Sequence, residues 1–260
     1  MESAAPQALD APALRALLAQ REAQCAEQAA AMEAWMHAVS HDLRAPLRHI
    51  TSYGPLVREL LEAAPGLDAG ARQEALAFLG TMDQSARRMG RMLEGLLALS
   101  RVARAPLRVQ AVDLAVLVAQ AREALERAGT GAGHSVQWQV AGEPPTVQGD
   151  AALLLQLLTE LLTNALKFTR GRAPACISVG WARGGDGQVT LSVQDNGVGF
   201  NPAQAAGLFG IFRRLHRDSE FEGVGAGLAL VQAVAHRHGG TAEASAVPGE
   251  GCTVRVRWAG

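Results

Sequence analysis

Apolar positions along this chain change their period near residues 102–113. Before that point they recur at helical spacing, and after it short alternating runs are separated by glycine-rich turns. From about Ala13 to Ala64 the residues are strong helix formers with few breakers. Leu18, Cys25, Met32 and Val39 recur every seven residues, flanked by Ala29, Trp35 and Met36, which makes a coiled-coil-like seam. About 50 helical residues would span roughly 75 Å, too long for the apolar stripe to be buried against its own helix. Pro65-Gly66 ends this helix. Gly70–Arg101 then reads as a second one, with Leu76, Leu79, Met82, Met89, Leu93, Leu96 and Leu97 on its apolar side. One helical hairpin is a poor core, whereas two make a four-helix bundle, so a homodimer through residues 13–101 is expected. A monomeric hairpin folded onto the C-terminal part is the alternative. Pro46 and Pro55 interrupt the first helix and should bend it, freeing the carbonyls of Asp42 and Thr51 beside the polar pair His41-Asp42.

From residue 107 the pattern predicts a short strand at Leu107–Ala111, a helix over Leu114–Ala128, a strand at Ser135–Val140 and another at Thr146–Gly149. Asp150 caps a helix through Phe168. Ala175–Ala182 and Gln188–Gln194 form a hairpin around Gly184-Gly185-Asp186-Gly187. A helix follows over Gly225–His238, with strands at Thr241–Ala246 and Thr253–Trp258. Strands grouped with three helices predict an α+β sandwich, its helices on one face of a mixed sheet.

Composition narrows the function classes. The 260 residues are 48% hydrophobic and 19% charged, enough for one large or two modest domains. A net charge of −1 argues against a dedicated nucleic-acid binder. Cys25, Cys176 and Cys252 are widely separated, with no zinc or disulfide spacing, in keeping with a reducing, cytoplasmic setting. No apolar run reaches the roughly 18 residues of a spanning helix, and the N-terminus lacks a signal pattern, so the chain as given reads as soluble. Lys167 is the only lysine.

Three segments carry candidate chemistry. On the helix that Asp150 opens, Asn164 lies about 40° from Glu160 and Lys167 about 20° on the other side, so the three share one polar stripe. An amide oxygen, a carboxylate and an ammonium suit a magnesium–triphosphate group, with Asn164 on the metal and Lys167 on phosphate. An ordinary solvated face fits the same stripe. Asp195-Asn196-Gly197-Val198-Gly199-Phe200 follows an apolar strand; a strand-end carboxylate can read an exocyclic amine, and glycines admit close backbone approach, though a simple turn also fits. Glu222–Leu230 (EGVGAGLAL) opens a helix with glycines, an anion site by its amides and dipole, and also a pattern found in linkers. The conjunction, in this order, is what distinguishes them.

From about residue 30 the chain resembles the catalytic core of a sensor histidine kinase: a dimerisation and phosphotransfer domain followed by an ATP-binding domain of the gyrase/Hsp90/MutL-like superfamily. Ser40–Leu47 (SHDLRAPL) is similar to the phospho-acceptor motif, Glu160–Phe168 (ELLTNALKF) to the asparagine box and DNGVGF to the first glycine box. Phe209–Arg214 (FGIFRR) resembles the phenylalanine box, GVGAGLAL the second glycine box, and Gly249–Thr253 the turn before the last strand. SHDLRAPLR with FRRLH and HRHGG further resembles the phytochrome-type branch. The resemblance implies a signalling helix or coiled coil over 1–30, the phosphotransfer domain over 31–104 as a dimeric four-helix bundle, and the α+β ATP-binding domain over 105–260.

It further implies that His41 attacks the γ-phosphorus of ATP, with Asp42 holding its productive tautomer. Asn164 would ligate Mg2+, Glu160 would order a metal-bound water, and Lys167 and Arg214 would face phosphate. Asp195 would accept from the adenine amine, with Gly197 and Gly199 lining that pocket. Phe212, Gly223, Gly225, Gly227, Leu228 and Thr253 complete the implied nucleotide site, and residues 201–224 would be a mobile lid. His37, His49, His134, His216, His236 and His238 read as surface or packing residues. Implied partners are a second copy, a response regulator whose aspartate takes the phosphoryl group, and an upstream sensor domain or protein, since residues 1–30 read only as the end of a signalling helix. Ala45 departs from the family's polar residue four after the histidine, which predicts weak phosphatase activity. The alternatives are a degenerate dimeric scaffold that only docks receiver domains and an ATPase of the gyrase/Hsp90 kind.

Overall fold

A computed structural model describes residues 11–66, 68–130, 135–185, 187–217 and 220–259. The chain divides into two compact units between Ala86 and Arg87.

The first unit is a helical hairpin. Helix α1 (Ala11–Ala63) runs unbroken through Pro46 and Pro55, where the Thr51 hydroxyl donates to the carbonyls of Leu47 and Arg48 at 3.1 Å each. Pro65 and Gly66 stop it, and Gly66 turns back at φ 80°. Asp68 starts α2 (Ala69–Arg104) by accepting from the Ala71 amide at 3.1 Å, and Arg72 donates back to the Ala64 carbonyl at 2.6 Å. Ser40, Leu47 and Ala86 are buried, whereas Leu43, Tyr53, Leu56, Val57, Leu60, Phe78 and Met82 are exposed. Of the expected heptad seam, the side chains of Leu18, Cys25, Ala29, Met32, Trp35 and Met36 lie outside the described residues.

The second unit contains the last part of α2 and a two-layer sandwich. Strands β2 (Val136–Ala141), β4 (Ala175–Arg183), β5 (Gln188–Asp195), β7 (Gly251–Ala259) and β6 (Thr241–Val247) form one sheet in the order β2-β4-β5-β7-β6. The β2–β4 pair is parallel and the others antiparallel, which makes the sheet mixed as expected. Alternation sets its faces. Val179 pairs with Val193 and Val193 with Val254, and all three are buried, while Ser178, Ser192 and Arg255 fall on the other face. Against the apolar face pack α3 (Leu114–Arg127), α4 (Ala151–Phe168) and α5 (Gly227–Arg237), whose leucines and valines share one core with the sheet. By length and mean hydropathy of 1.3, α4 alone among the described residues meets the size and composition of a spanning helix, but Gln156, Glu160, Asn164 and Lys167 interrupt it, so it is not the unbroken apolar run that was expected to be absent. Its apolar face is the centre of this core, with Leu157 and Leu162 fully buried.

Two of the differences from the expected boundaries bear on the site. The first strand, β1, lies at Gln110–Asp113 rather than Leu107–Ala111 and pairs antiparallel with β3 (Thr146–Gly149). The Arg108 amide is taken instead by the Asp150 carboxylate at 3.0 Å, so this backbone has a side-chain partner and no strand partner. Asp150 also caps α4 by accepting from Ala152 and Leu153 at 3.0 and 3.2 Å. Helix α5 begins at Gly227 rather than Gly225, because Gly225 sits at φ 76°, a left-handed conformation no helix accommodates. The end of α2 is fixed to this unit by Arg237, which donates to the carbonyls of Val102, Ala103 and Ala105 at 3.0, 2.5 and 2.5 Å.

Candidate active site

The second unit holds a cavity of about 310 Å³ between the polar stripe of α4, the C-terminal end of β5 and the segment 208–228. Glu160, Asn164 and Lys167 all line it, which follows from the i, i+4, i+7 spacing once the leucines of α4 are turned into the core. Burial raises the Glu160 pKa, a shift the Lys167 charge opposes. Burial pushes Lys167 down to about 8, helped by Arg214 and Arg170 and opposed by Glu160 and Glu222. Its ammonium also lies over the Phe168 ring, 4.3 Å from the centroid.

At the floor, Asp195 is 8% exposed, and burial pushes its pKa up to about 6 against the backbone amides that hold it. Its Oδ1 accepts from Gly197 at 2.8 Å and Cys252 at 3.3 Å. Opposite α4, Gly223, Gly225, Gly227 and Leu228 line the cavity up to the start of α5. A Cβ on Gly227 would collide with the Glu160 carboxylate, and the Asn164 amide nitrogen lies 3.7 Å from the same point. Glu160 and Asn164 therefore meet at the α5 N-terminus. A carboxylate and a carboxamide there fit a hard divalent cation that keeps most of its other ligands as water or phosphate. The described residues hold no cluster of three or more His, Cys, Asp or Glu side chains that would cage a metal alone.

The segment expected as a lid forms a short 3-10 turn at Pro202–Gly207 and then runs irregularly along the cavity. Arg214, His216, Phe221 and Glu222 line it. Arg214 donates to the Phe221 carbonyl at 2.5 Å, and Arg170 pairs with Glu222. Phe168, His216 and Phe221 pack ring against ring, with centroids 5.0–5.3 Å apart. His216 is thus a packing residue, as expected, and its packing places it in the cavity wall. His238 packs as expected, with its Nε2 accepting from the Asp150 amide at 3.0 Å.

Three expected ligand residues do not line the cavity. Gly197 lies behind Asp195, where a Cβ would come 2.5 Å from the Phe168 carbonyl oxygen. Phe212 adopts φ 59° and donates its amide to the Gly225 carbonyl at 2.9 Å, so it braces the glycine segment through its backbone. Thr253 pairs with Gln194 and Ser245 and falls on the far face of the sheet. Its neighbour Cys252 lines the cavity instead, with burial and the Asp195 charge pushing its thiol up to about 12. The sequence signal for this was the strand alternation, since Cys252 shares the face of Val254 and Val256. Aromatic wall residues had no such signal. In the first unit, His41 and Asp42 are both exposed, with Nδ1 3.2 Å from Oδ1. The imidazole faces solvent.

Comparison with known proteins agrees with this architecture. Residues 31–104 match the His Kinase A (phospho-acceptor) domain, and residues 149–259 match the histidine kinase-, DNA gyrase B- and HSP90-like ATPase domain. The methanogenesis regulatory histidine kinase FilI of Methanothrix harundinacea is 32% identical over 226 residues, covering 86% of this chain and 24% of FilI. Cyanobacterial phytochrome B of Nostoc is 29% identical over 223 residues, 85% of this chain and 28% of that protein. The chain thus spans about a quarter of the length of these curated relatives. Among solved structures, full-length ShkA in complex with AMPPNP has a TM-score of 0.59 and 26% identity, covering 86% of this chain and 45% of ShkA.

Proposed function

This chain is a histidine kinase catalytic core, and from that premise we propose that it binds ATP in the α4–α5 cavity, phosphorylates its own His41 and passes the phosphoryl group to an aspartate of a response regulator. The observation that carries the proposal is one cavity with a half-buried ammonium and a carboxylate–amide pair on one wall, a buried carboxylate on the floor and a glycine-opened helix opposite, in a chain that also exposes His41.

Asp195 is proposed to accept from the adenine amine. The triphosphate would run toward the α5 N-terminus, whose amides and dipole favour negative charge. Lys167 and Arg214 would face its terminal oxygens. Asn164 and Glu160 would hold a magnesium ion, which supplies further charge neutralisation when bound. With Asp42 on Nδ1, the His41 Nε2 is left to attack: the Nε2–phosphorus bond forms as the bond from γ-phosphorus to the bridging oxygen breaks, and ADP leaves. Phosphoryl transfer needs little covalent work from protein groups, so positioning and charge carry it. The exposed apolar residues Tyr53, Leu56, Leu60, Phe78 and Met82 support association of two hairpins into a four-helix bundle, hence a homodimer.

The test is incubation with γ-labelled ATP and magnesium. Acid-labile, alkali-stable label on wild type and none on His41→Gln is expected. Absence of label on wild type would overturn the kinase reading; steady ATP hydrolysis without label would favour an ATPase, and receiver binding without either would favour a scaffold.

A further inference from the structure

The loop joining α4 to β4 carries an arginine that no part of the mechanism uses. Arg172 lies outside the cavity and is half-buried. Its Nη2 donates to two carbonyl oxygens, that of Gly197 at 2.9 Å and that of Gly249 at 2.5 Å. These carbonyls belong to the two segments that hold Asp195. Gly197 supplies one amide to the Asp195 carboxylate, and Cys252, three residues beyond Gly249, supplies the other.

The two segments also touch backbone to backbone. Gly249 donates to the Val198 carbonyl at 2.8 Å. A Cβ on Gly199 would run into the Val247 carbonyl, and one on Gly251 into that of Asp195. On the other side of the turn, Asn196 accepts from the Cys176 amide at 2.8 Å and donates to the Pro174 carbonyl at 3.0 Å. Arg172 and Pro174 sit in the same loop, so one short segment grips the Asp195 turn twice. A cationic guanidinium holding two neutral carbonyls is a charge-assisted contact, stiffer than the neutral pairs around it.

We propose that Arg172 is a positioning residue for base selection: by clipping the 195–199 turn to the β6–β7 hairpin, it holds the Asp195 carboxylate where it tells an adenine amine from a guanine oxygen. The inference rests on the reading of Asp195 as the base-recognising carboxylate. Asp195 accepts both amides on Oδ1, which leaves Oδ2 for the base. Recognition through one oxygen depends on where the turn sits, because such a constellation works only within about 0.5 Å of its productive geometry. Loosening the clip leaves the phosphate-facing groups of α4 in place. It therefore degrades base discrimination more than phosphate chemistry.

The experiment measures KM and kcat for ATP and for GTP in the full chain, by His41 labelling, together with thermal melting. Wild type is expected to prefer ATP. Arg172→Ala should raise KM for ATP about tenfold with kcat nearly unchanged and leave KM for GTP almost where it was, so that the preference shrinks about tenfold. Arg172→Lys, which keeps the charge on a shorter side chain without the planar guanidinium, should fall between the two. Should the alanine variant fail to fold, the lysine variant carries the test alone. An unchanged ATP-to-GTP ratio, with both KM values raised in parallel, would mean that Arg172 only stabilises the fold and would overturn the proposal. If wild type showed no preference for ATP, the reading of Asp195 itself would fall, and the role of Arg172 with it.

Discussion

Replacing Asp195 by Asn should make the nucleotide-free protein more stable while removing its ability to hold the base. Asp195 is almost fully buried, and burial raises its pKa from 3.8 to about 6. A carboxyl that holds its proton more tightly folded than unfolded stabilises the fold only while protonated. That contribution is complete below pH ~4, and it is lost as pH rises through 6. A shift of roughly 2 units at ~1.4 kcal/mol each amounts to about 3 kcal/mol of penalty in the ionised state. Asparagine retains an oxygen for the Gly197 and Cys252 amides, so it relieves the charge without orphaning those donors. For a unit of this size the gain corresponds to roughly 5–10 °C in Tm. Calorimetry without nucleotide at pH 8 should show Asp195→Asn melting above wild type by that amount, with the gap closing between pH 6 and 4. ATP should raise the wild-type Tm and leave the variant's unchanged. An asparagine variant less stable than wild type at pH 8, or a gap independent of pH, would refute the reasoning.

Lys167 sets the opposite limb. Its pKa of about 8, from burial and the neighbouring Arg214, means that its charge disappears as pH rises past that value. ATP affinity should then fall about tenfold per pH unit above 8, and Lys167→Arg should flatten that limb. Equilibrium binding from pH 7 to 9.5 checks this, and an equal fall in both proteins would assign the limb to another group. Gly199→Ala should be severely destabilising, by about 2–4 kcal/mol, because its φ is 61° and a Cβ there meets the Val247 carbonyl. Chemical denaturation reads the loss, and a midpoint within error of wild type would show that the β6–β7 hairpin can move aside.

Much of this site was legible because its residues sit on regular elements. The stripe of Glu160, Asn164 and Lys167 follows from helical spacing alone, and Asp195 from its place at the end of an apolar strand. The cap at Asp150 and the turn at Pro65-Gly66 were equally local. What escaped was set by chain segments far apart in sequence. Arg108 gives its amide to Asp150 across 42 residues, and so the first strand moved three residues downstream. His216 lines the cavity only because Phe168 and Phe221 meet it there. Cys252, for which no role was expected, lines the cavity in place of Thr253, because a motif names a turn whereas strand parity decides which side chain enters the cavity.

The electrostatics of the cavity tie the site residues together. Glu160 and Asp195 are raised and Lys167 is lowered, and in each case burial is the leading cause. All three groups are thus pushed toward neutrality, which means the fold holds them at a cost that their mutual attraction does not offset. A core selected for stability alone would replace them with leucines like those on the other face of α4. Their retention makes sense if a ligand brings the missing charges and hydrogen bonds: an amine for Asp195, phosphate oxygens for Lys167 and a cation beside Glu160. Strain of this kind inside an otherwise consistent sandwich marks the functional site. It also makes nucleotide and fold stability interdependent, since a ligand at 100 times its Kd adds about 2.7 kcal/mol.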